Sequence, residues 1–351
     1  MLINPEMPDW EVRKKDQIKT LKSMIGFMVV AVILGGGVWF WNTKNSDIKS
    51  GKETAGIECA EGQVSIDGGC EKIRPEFLDL SEVVRNWGES TGGEISAYVY
   101  DLSNERIAGA FHSEVSFEMR SIYKLFVAYE GYRRISLGVW GDDADYLVNE
   151  AGSLSRLDCL DLMIRESHSG CAEKMWDEIG REELDGIVRN EFMLFSTSVS
   201  GLTTNVADVA KMMVRFYKNE GISGDLVERM KDSFLNQPAT NREGLCEGLC
   251  DWRQGLPAGF SEKVKVYDKV GWLNAETGWE VYNDAAIIET LDKKSGGMRS
   301  YAVVVMTKNM GPEVNQALGR AIEEVLNVTS GEEGVTEVEP GLEVVSGETE
   351  S

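Results

Sequence analysis

Ser121-Ile-Tyr-Lys124 stands where an apolar stretch with helical periodicity begins, over residues 119–136. Residues three apart share a helix face, so the hydroxyl and the amine can meet. A serine hydroxyl is a poor nucleophile until a base removes its proton, and a lysine can be that base once desolvation and nearby cations lower its pKa. A helix N-terminus adds backbone N–H groups and a positive dipole end, which favour a developing oxyanion. The chemistry implied is acyl transfer through a serine ester. The spacing alone is common, since Ser46-Asp-Ile-Lys49 repeats it earlier in the chain. What separates the two copies is the company Ser121 keeps.

The elements that would position Ser121 follow from periodicity. A helix is predicted over 76–87, and Ile95-Ser-Ala-Tyr-Val-Tyr100 alternates as a strand. Turn residues over 101–105 let 106–111 return as a hairpin partner. A mostly helical stretch covers 142–237, β-rich segments follow at 263–270, 279–291 and 299–307, and an amphipathic helix covers 313–327. That order predicts an α+β fold in which one antiparallel sheet carries its first and last helices on one face, with an all-helical region beside it.

Three further segments accompany Ser121 in order. The run Ser155-Arg-Leu-Asp-Cys-Leu-Asp-Leu-Met-Ile-Arg-Glu-Ser167-His168-Ser169 is followed by Gly170-Cys-Ala-Glu-Lys-Met-Trp-Asp-Glu-Ile-Gly180. Gly201-Leu-Thr-Thr-Asn-Val-Ala-Asp-Val-Ala210 has the composition of a helix N-cap. Tyr267-Asp-Lys269-Val270-Gly271-Trp272 then precedes Val281-Tyr-Asn-Asp-Ala-Ala-Ile287. Over residues 76–328 these segments resemble the serine hydrolases of the class A β-lactamase and penicillin-binding protein superfamily, with their S-x-x-K, S-D-N and K-T-G motifs. Literal K-S-G also occurs at Lys49 and Lys294, but only Lys269 has the matching neighbours.

The resemblance implies a β-lactamase-like fold with a five-stranded antiparallel sheet, and it implies roles. Ser121 would be acylated, Lys124 would activate it, Ser167 would relay a proton to the leaving group, and Lys269 would raise the local positive potential. The backbone N–H groups of Ser121 and Trp272 would form the oxyanion hole, and Ser169, Val270, Gly271 and Trp272 would line the substrate site. The substrate implied is a β-lactam or a D-alanyl-type cell-wall peptide amide. No cofactor and no metal is called for. Two alternatives stand beside this: a catalytically impaired module that binds cell wall or protein, and an esterase on the same scaffold, which Val270 would permit.

The chain departs from the pattern in three places. His168 and Ser169 replace Asp and Asn, and Val270 replaces Thr. Thr203 follows Ser167 by only 36 positions, too few for the loop whose Glu activates the deacylating water in class A enzymes. Glu182, Glu183 and Glu191 in that segment lie outside any such setting and read as surface residues. A Ser-His-Asp triad through His168 or His112 is formally open, though neither has a supporting motif.

Composition bounds the rest. A formal charge of -23 over 351 residues excludes a nucleic-acid partner. Residues 24–41 carry no charge, close on Trp39-Phe-Trp41 and can span a membrane. Arg13, Lys14, Lys15, Lys19 and Lys22 before the span outnumber Lys44, Lys49 and Lys52 after it, which predicts a cytoplasmic N-terminus and an extracytoplasmic domain. The resulting layout is a cytoplasmic segment (1–23), an anchor (24–41), a stalk (42–74), the hydrolase domain (75–328) and an acidic, solvated tail (329–351). Cysteines 59, 70, 159, 171, 246 and 250 form three sequence-local couples suited to disulfides outside the cytoplasm, and the protein is expected to be a monomer. With two His and no C-x-x-C, zinc lacks ligands.

Overall fold

The computed structural model describes residues 63–66, 69–149, 152–235, 254–275 and 278–329. The expected membrane span, Cys59, Cys246, Cys250 and the acidic tail lie outside the described residues. Among the described residues no helix is long and apolar enough to cross a membrane.

A hairpin of β1 (Gln63–Ile66) and β2 (Gly69–Lys72) falls within the stretch expected to be a stalk. Helix α1 (Ser81–Thr91) starts five residues later than predicted. The preceding residues are held to the sheet instead: Leu80 N donates to Ala108 O at 2.8 Å, and Asp79 Oδ1 accepts from Ser81 N at 2.9 Å. Strands β3 (Glu94–Asp101) and β4 (Arg106–Phe111) form the predicted hairpin. Short strand β5 (Phe117–Glu118) leads through a 3-10 turn (Arg120–Ile122) into α2 (Tyr123–Ser136). The helical region continues through hairpin β6 (Leu147–Asn149) and β7 (Gly152–Leu154), α3 (Arg156–Arg165), α4 (Ser169–Ile179) and α5 (Arg181–Asn190). Strand β8 (Thr203–Thr204), α6 (Val206–Lys218) and α7 (Gly224–Leu235) complete it. Strands β9 (Lys265–Ala275), β10 (Gly278–Asp292) and β11 (Gly297–Lys308) follow, then α8 (Pro312–Thr329).

The five long strands pair antiparallel in the order β4-β3-β11-β10-β9. Period-two alternation gives each inner strand two buried faces. On β11, Tyr301, Val303 and Val305 join Leu80, Val84, Leu318 and Ile322 of the terminal-helix core, while Ala302, Val304 and Met306 join the core of the helical region. Helix α2 is buried from Tyr123 through Tyr132, as the central helix of that region must be. These placements match the predicted α+β architecture, and two of them matter for the site: Ser121 lies in the turn that feeds α2, and Lys269 lies on the edge strand β9.

A disulfide between Cys159 on α3 and Cys171 on α4, with Cα atoms 5.1 Å apart, ties the helices on either side of Ser167. Cys70 is also disulfide-bonded.

Candidate active site

Ser121 sits half-buried in the middle of the 3-10 turn that feeds α2. The turn is held from several sides. Strand β5 pairs with β8, so the Thr203-Thr204 segment read as a helix start is a strand that props up the residues before Ser121, while Asn205 takes the cap by accepting from Asp208 N at 2.8 Å. Met119 N donates to Leu202 O at 2.8 Å. From the sheet, the buried Asn283 donates through Nδ2 to Glu118 O at 2.7 Å and accepts through Oδ1 from Thr307 N at 3.1 Å. Arg120 is left at φ 48°, a left-handed conformation that costs a non-glycine residue energy and persists only where surroundings enforce it.

Strand β9 closes the other side. A Cβ built on Gly271 would lie 2.6 Å from Met119 O, 2.8 Å from Ile122 N and 2.9 Å from Ser121 N. Only a residue without a side chain lets β9 come this close, which brings the backbone of Gly271-Trp272 beside the backbone of Ser121. Trp272 is half-buried, and its ring meets Trp279 edge-to-face at 5.8 Å; Trp279 meets Tyr282 the same way at 5.3 Å.

Two lysines converge on one serine. Lys124 Nζ, 2% exposed as a residue, donates to Ser167 Oγ at 3.0 Å, to Ser169 Oγ at 3.1 Å and to Ser167 O. Lys269 Nζ, fully buried, donates to the same Ser167 Oγ at 3.1 Å and to Val270 O at 2.7 Å. Burial lowers the Lys124 amine to about 8, opposed by the charge of Glu173. Burial also pushes Lys269 well below the ordinary lysine value, the charge of Lys124 adds to the effect, and Asp268 and Asp284 oppose it. Asp284 is itself buried and pushed up to about 7 by desolvation, against a 2.7 Å bond from Leu256 N. An amine near 8 is partly neutral at neutral pH, so its lone pair can take a hydroxyl proton. With both lysines donating to it, Ser167 Oγ has its acceptor sites filled and its own proton left to donate.

Ser167 occupies the corner between α3 and α4 at φ 54°, again left-handed. His168 shapes the corner. Its Nδ1 accepts from Cys171 N at 3.1 Å and so caps α4, the job a short acidic side chain does at such a position. That nitrogen is therefore committed, and a His168 base is not what the geometry offers. His112 follows β4 with its ring stacked on Phe111 at 3.9 Å, and its carbonyl accepts from Ser96 Oγ. Val270 has no accessible surface. Glu183 and Glu191 pair with Arg134 and Arg133, and Glu182 is exposed, in keeping with surface roles.

The structure thus gathers Ser167, Ser169, Lys124 and Lys269 into one hydrogen-bonded cluster one helical turn from Ser121, with Gly271 and Trp272 alongside. Sequence reasoning quoted Asn283 without giving it a role, and it missed Tyr123 and Glu173, which hydrogen-bond at 2.8 Å beside Lys124. Asn283 lies one residue beyond a strand partner of Trp272, a signal visible only once the register is known. No cluster of metal-ligating side chains occurs among the described residues.

Residues 79–328 match the model of the beta-lactamase enzyme family. Among solved structures, an ancestral class A beta-lactamase aligns with a TM-score of 0.56 and 18% identity, over 70% of this chain and 99% of that one. PBP-A aligns with a TM-score of 0.57 and 17% identity, over 73% and 100% of the two chains. A beta lactamase from Xanthomonas campestris pv. campestris gives 0.57 and 16%, over 71% and 100%. At these identities the structural likeness speaks to the fold. No curated protein matches the chain.

Proposed function

The chain belongs to the beta-lactamase enzyme family, and from that premise we propose that it is a membrane-anchored, extracytoplasmic serine hydrolase that forms an acyl-enzyme at Ser121. The observation that carries the proposal is the pair of buried lysines donating to one serine hydroxyl, with the Lys124 amine lowered to about 8 one turn from Ser121. Neutral Lys124 takes the Ser121 proton as Oγ attacks the amide carbonyl. The oxyanion collects against the N–H groups of Ser121 and Trp272, which the bare Gly271 brings near each other. Ser167 passes its proton to the departing nitrogen and is resupplied from the lysine side. The positive field of Lys269 favours an anionic substrate, which fits a β-lactam or a D-alanyl-type peptide carboxylate.

The uncharged residues 24–41 and the basic residues before them support the anchor and its orientation. The Cys159–Cys171 disulfide suits an oxidising, extracytoplasmic compartment. The intact cluster speaks against a decayed binding module.

Intact-mass analysis of the protein after incubation with benzylpenicillin tests the proposal, beside Ser121→Ala. An adduct on the parent and none on the variant is the expected result. An equal adduct on Ser121→Ala would refute the nucleophile. No adduct and no loss of penicillin, followed by no turnover of a D-alanyl-terminated peptide or ester, would refute the acyl-enzyme reading.

A further inference from the structure

An acyl-enzyme needs a base to activate the water that clears it, and none of Glu182, Glu183 and Glu191 faces the site. Helix α4 offers another carboxylate. Ser169, its first residue, donates no direction by itself, but its Oγ accepts from Lys124 Nζ at 3.1 Å, so that face of α4 looks at Lys124. Glu173 lies four residues on, one turn along the same face. Tyr123, between Ser121 and Lys124 in the chain, donates its hydroxyl to Glu173 Oε1 at 2.8 Å. Arg181 donates to Oε2 at 2.5 Å from the other side. The carboxylate is therefore held at both oxygens, and each oxygen keeps a lone pair. Its side chain is 47% exposed, so water reaches it. The other carboxylates acting on the lysine pair, Asp268 and Asp284, are buried within the fold and cannot meet bulk water.

We infer that Glu173, on α4, is the general base for deacylation, a role that rests on the acyl-enzyme proposed above. A water bound to Glu173 gives it a proton as the water oxygen attacks the carbonyl carbon of the Ser121 ester. The tetrahedral intermediate then expels Ser121 Oγ as the C–Oγ bond breaks. The proton held by Glu173 returns to Oγ, so the products are a carboxylic acid and free serine. Lys124 is used for acylation and Glu173 for hydrolysis, and the two steps respond to different substitutions. The exposed, ion-paired position of Glu173 makes Glu173→Gln an isosteric change with little consequence for folding.

The test separates the two steps on the full-length chain in detergent, with benzylpenicillin as probe and intact mass as readout. The rate of adduct formation and the rate of its decay are measured for parent, Glu173→Gln and Glu173→Ala. Expected are an acylation rate no slower than about half the parent's, because loss of the Glu173 charge lowers the Lys124 amine further, and a decay slowed by about a hundredfold or more, the scale of general-base catalysis. Added formate should speed decay in Glu173→Ala, which a merely structural role would not produce. Decay in Glu173→Gln within twofold of the parent overturns the assignment. So does an equal slowing of acylation and decay, which would make Glu173 a positioning residue for Lys124, and so does a parent adduct as persistent as the variant's. Absence of an adduct on the parent together with no loss of penicillin refutes the acyl-enzyme itself and the Glu173 role with it, whereas penicillin loss with an adduct that accumulates only on Glu173→Gln is the outcome expected when deacylation on the parent is fast.

Discussion

Replacing Lys124 by Met should stabilise the protein at neutral pH while abolishing acylation. Burial lowers this amine from the ordinary 10.5 to about 8, a shift of about 2.5 pKa units. At about 1.36 kcal/mol per unit, holding a charged lysine there costs the fold about 3 kcal/mol at pH 7. Met has a similar length, fills the space and carries no charge to desolvate. Against that gain stand the hydrogen bonds Lys124 gives to Ser167 and Ser169, whose loss costs about 1–2 kcal/mol. The net expectation is a gain of about 1–2 kcal/mol at pH 7, or about 3–6 °C in Tm for a domain of this size.

The sign of the pH dependence follows from linkage. A lysine whose folded pKa is depressed binds fewer protons when folded, so between about 8 and 10.5 the parent gains stability as pH rises. Met does not titrate, and its advantage should shrink across that window and reverse near its upper end, where only the lost hydrogen bonds remain. Thermal melts of parent and Lys124→Met at pH 7, 8.5 and 10 measure the difference, with benzylpenicillin labelling run alongside. A Tm difference that stays constant with pH would refute the buried-amine argument. Labelling that survives in Lys124→Met would refute the base assignment.

Other substitutions probe the supports of the site. Gly271→Ala puts a Cβ within 2.6–2.9 Å of three backbone atoms of the Ser121 turn, so either β9 or the turn must shift. Labelling should fall by about a hundredfold and stability by about 1–3 kcal/mol, read by adduct rate and thermal melt; a normal labelling rate would show that the close approach is dispensable. Asn283→Ala leaves the Thr307 N–H without its acceptor and frees the carbonyl of Glu118, for a loss of about 2 kcal/mol and a slower acylation rate. Replacing Cys159 and Cys171 together by Ala removes a closed loop of 12 residues' separation and should cost about 3 kcal/mol in denaturant unfolding. Since that loop contains Ser167, labelling should slow with it.

Sequence made most of this fold legible because both periodicities are strong. Each inner strand alternates between two buried faces, and the helical stretches keep an apolar stripe, so element type and order came through. The short hairpins at 63–72 and 147–154 went unread, having too few residues to show a period, and the other misplacements are at ends, where long-range bonds decide: residues 76–80 have helical spacing but are drawn to β4 through Leu80, and Thr203-Thr204 pairs with β5 before Asn205 can cap α6. Ser121, Lys124, Ser167 and Lys269 could be singled out in the sequence because the resemblance names those residue types in that order, and Ser169 because it stands where the pattern has Asn. Asn283, Gly271 and Glu173 were not legible in the same way. Their contributions are a register, a backbone approach and a turn of α4, each of which exists only after the sheet and helices meet.

The same reasoning accounts for the departures in the second motif. The corner at Ser167 needs something to accept the free N–H at the start of α4 and something to receive a donor from Lys124. A carboxylate and an amide can do both, but neither task requires those groups. His168 accepts from Cys171 N through Nδ1, and Ser169 accepts from Lys124 through Oγ. The disulfide two residues beyond Ser169 adds a covalent tie at the corner. Ser169 is shorter than Asn and has no amide N–H to offer a substrate carbonyl, so the exchange that preserves the lysine's surroundings removes a donor from the cleft. One turn further along α4, the Glu173 side chain is 47% exposed. Changes that look like erosion letter by letter therefore replace the donors at the corner beside Ser167, while the two lysines stay assembled on its hydroxyl.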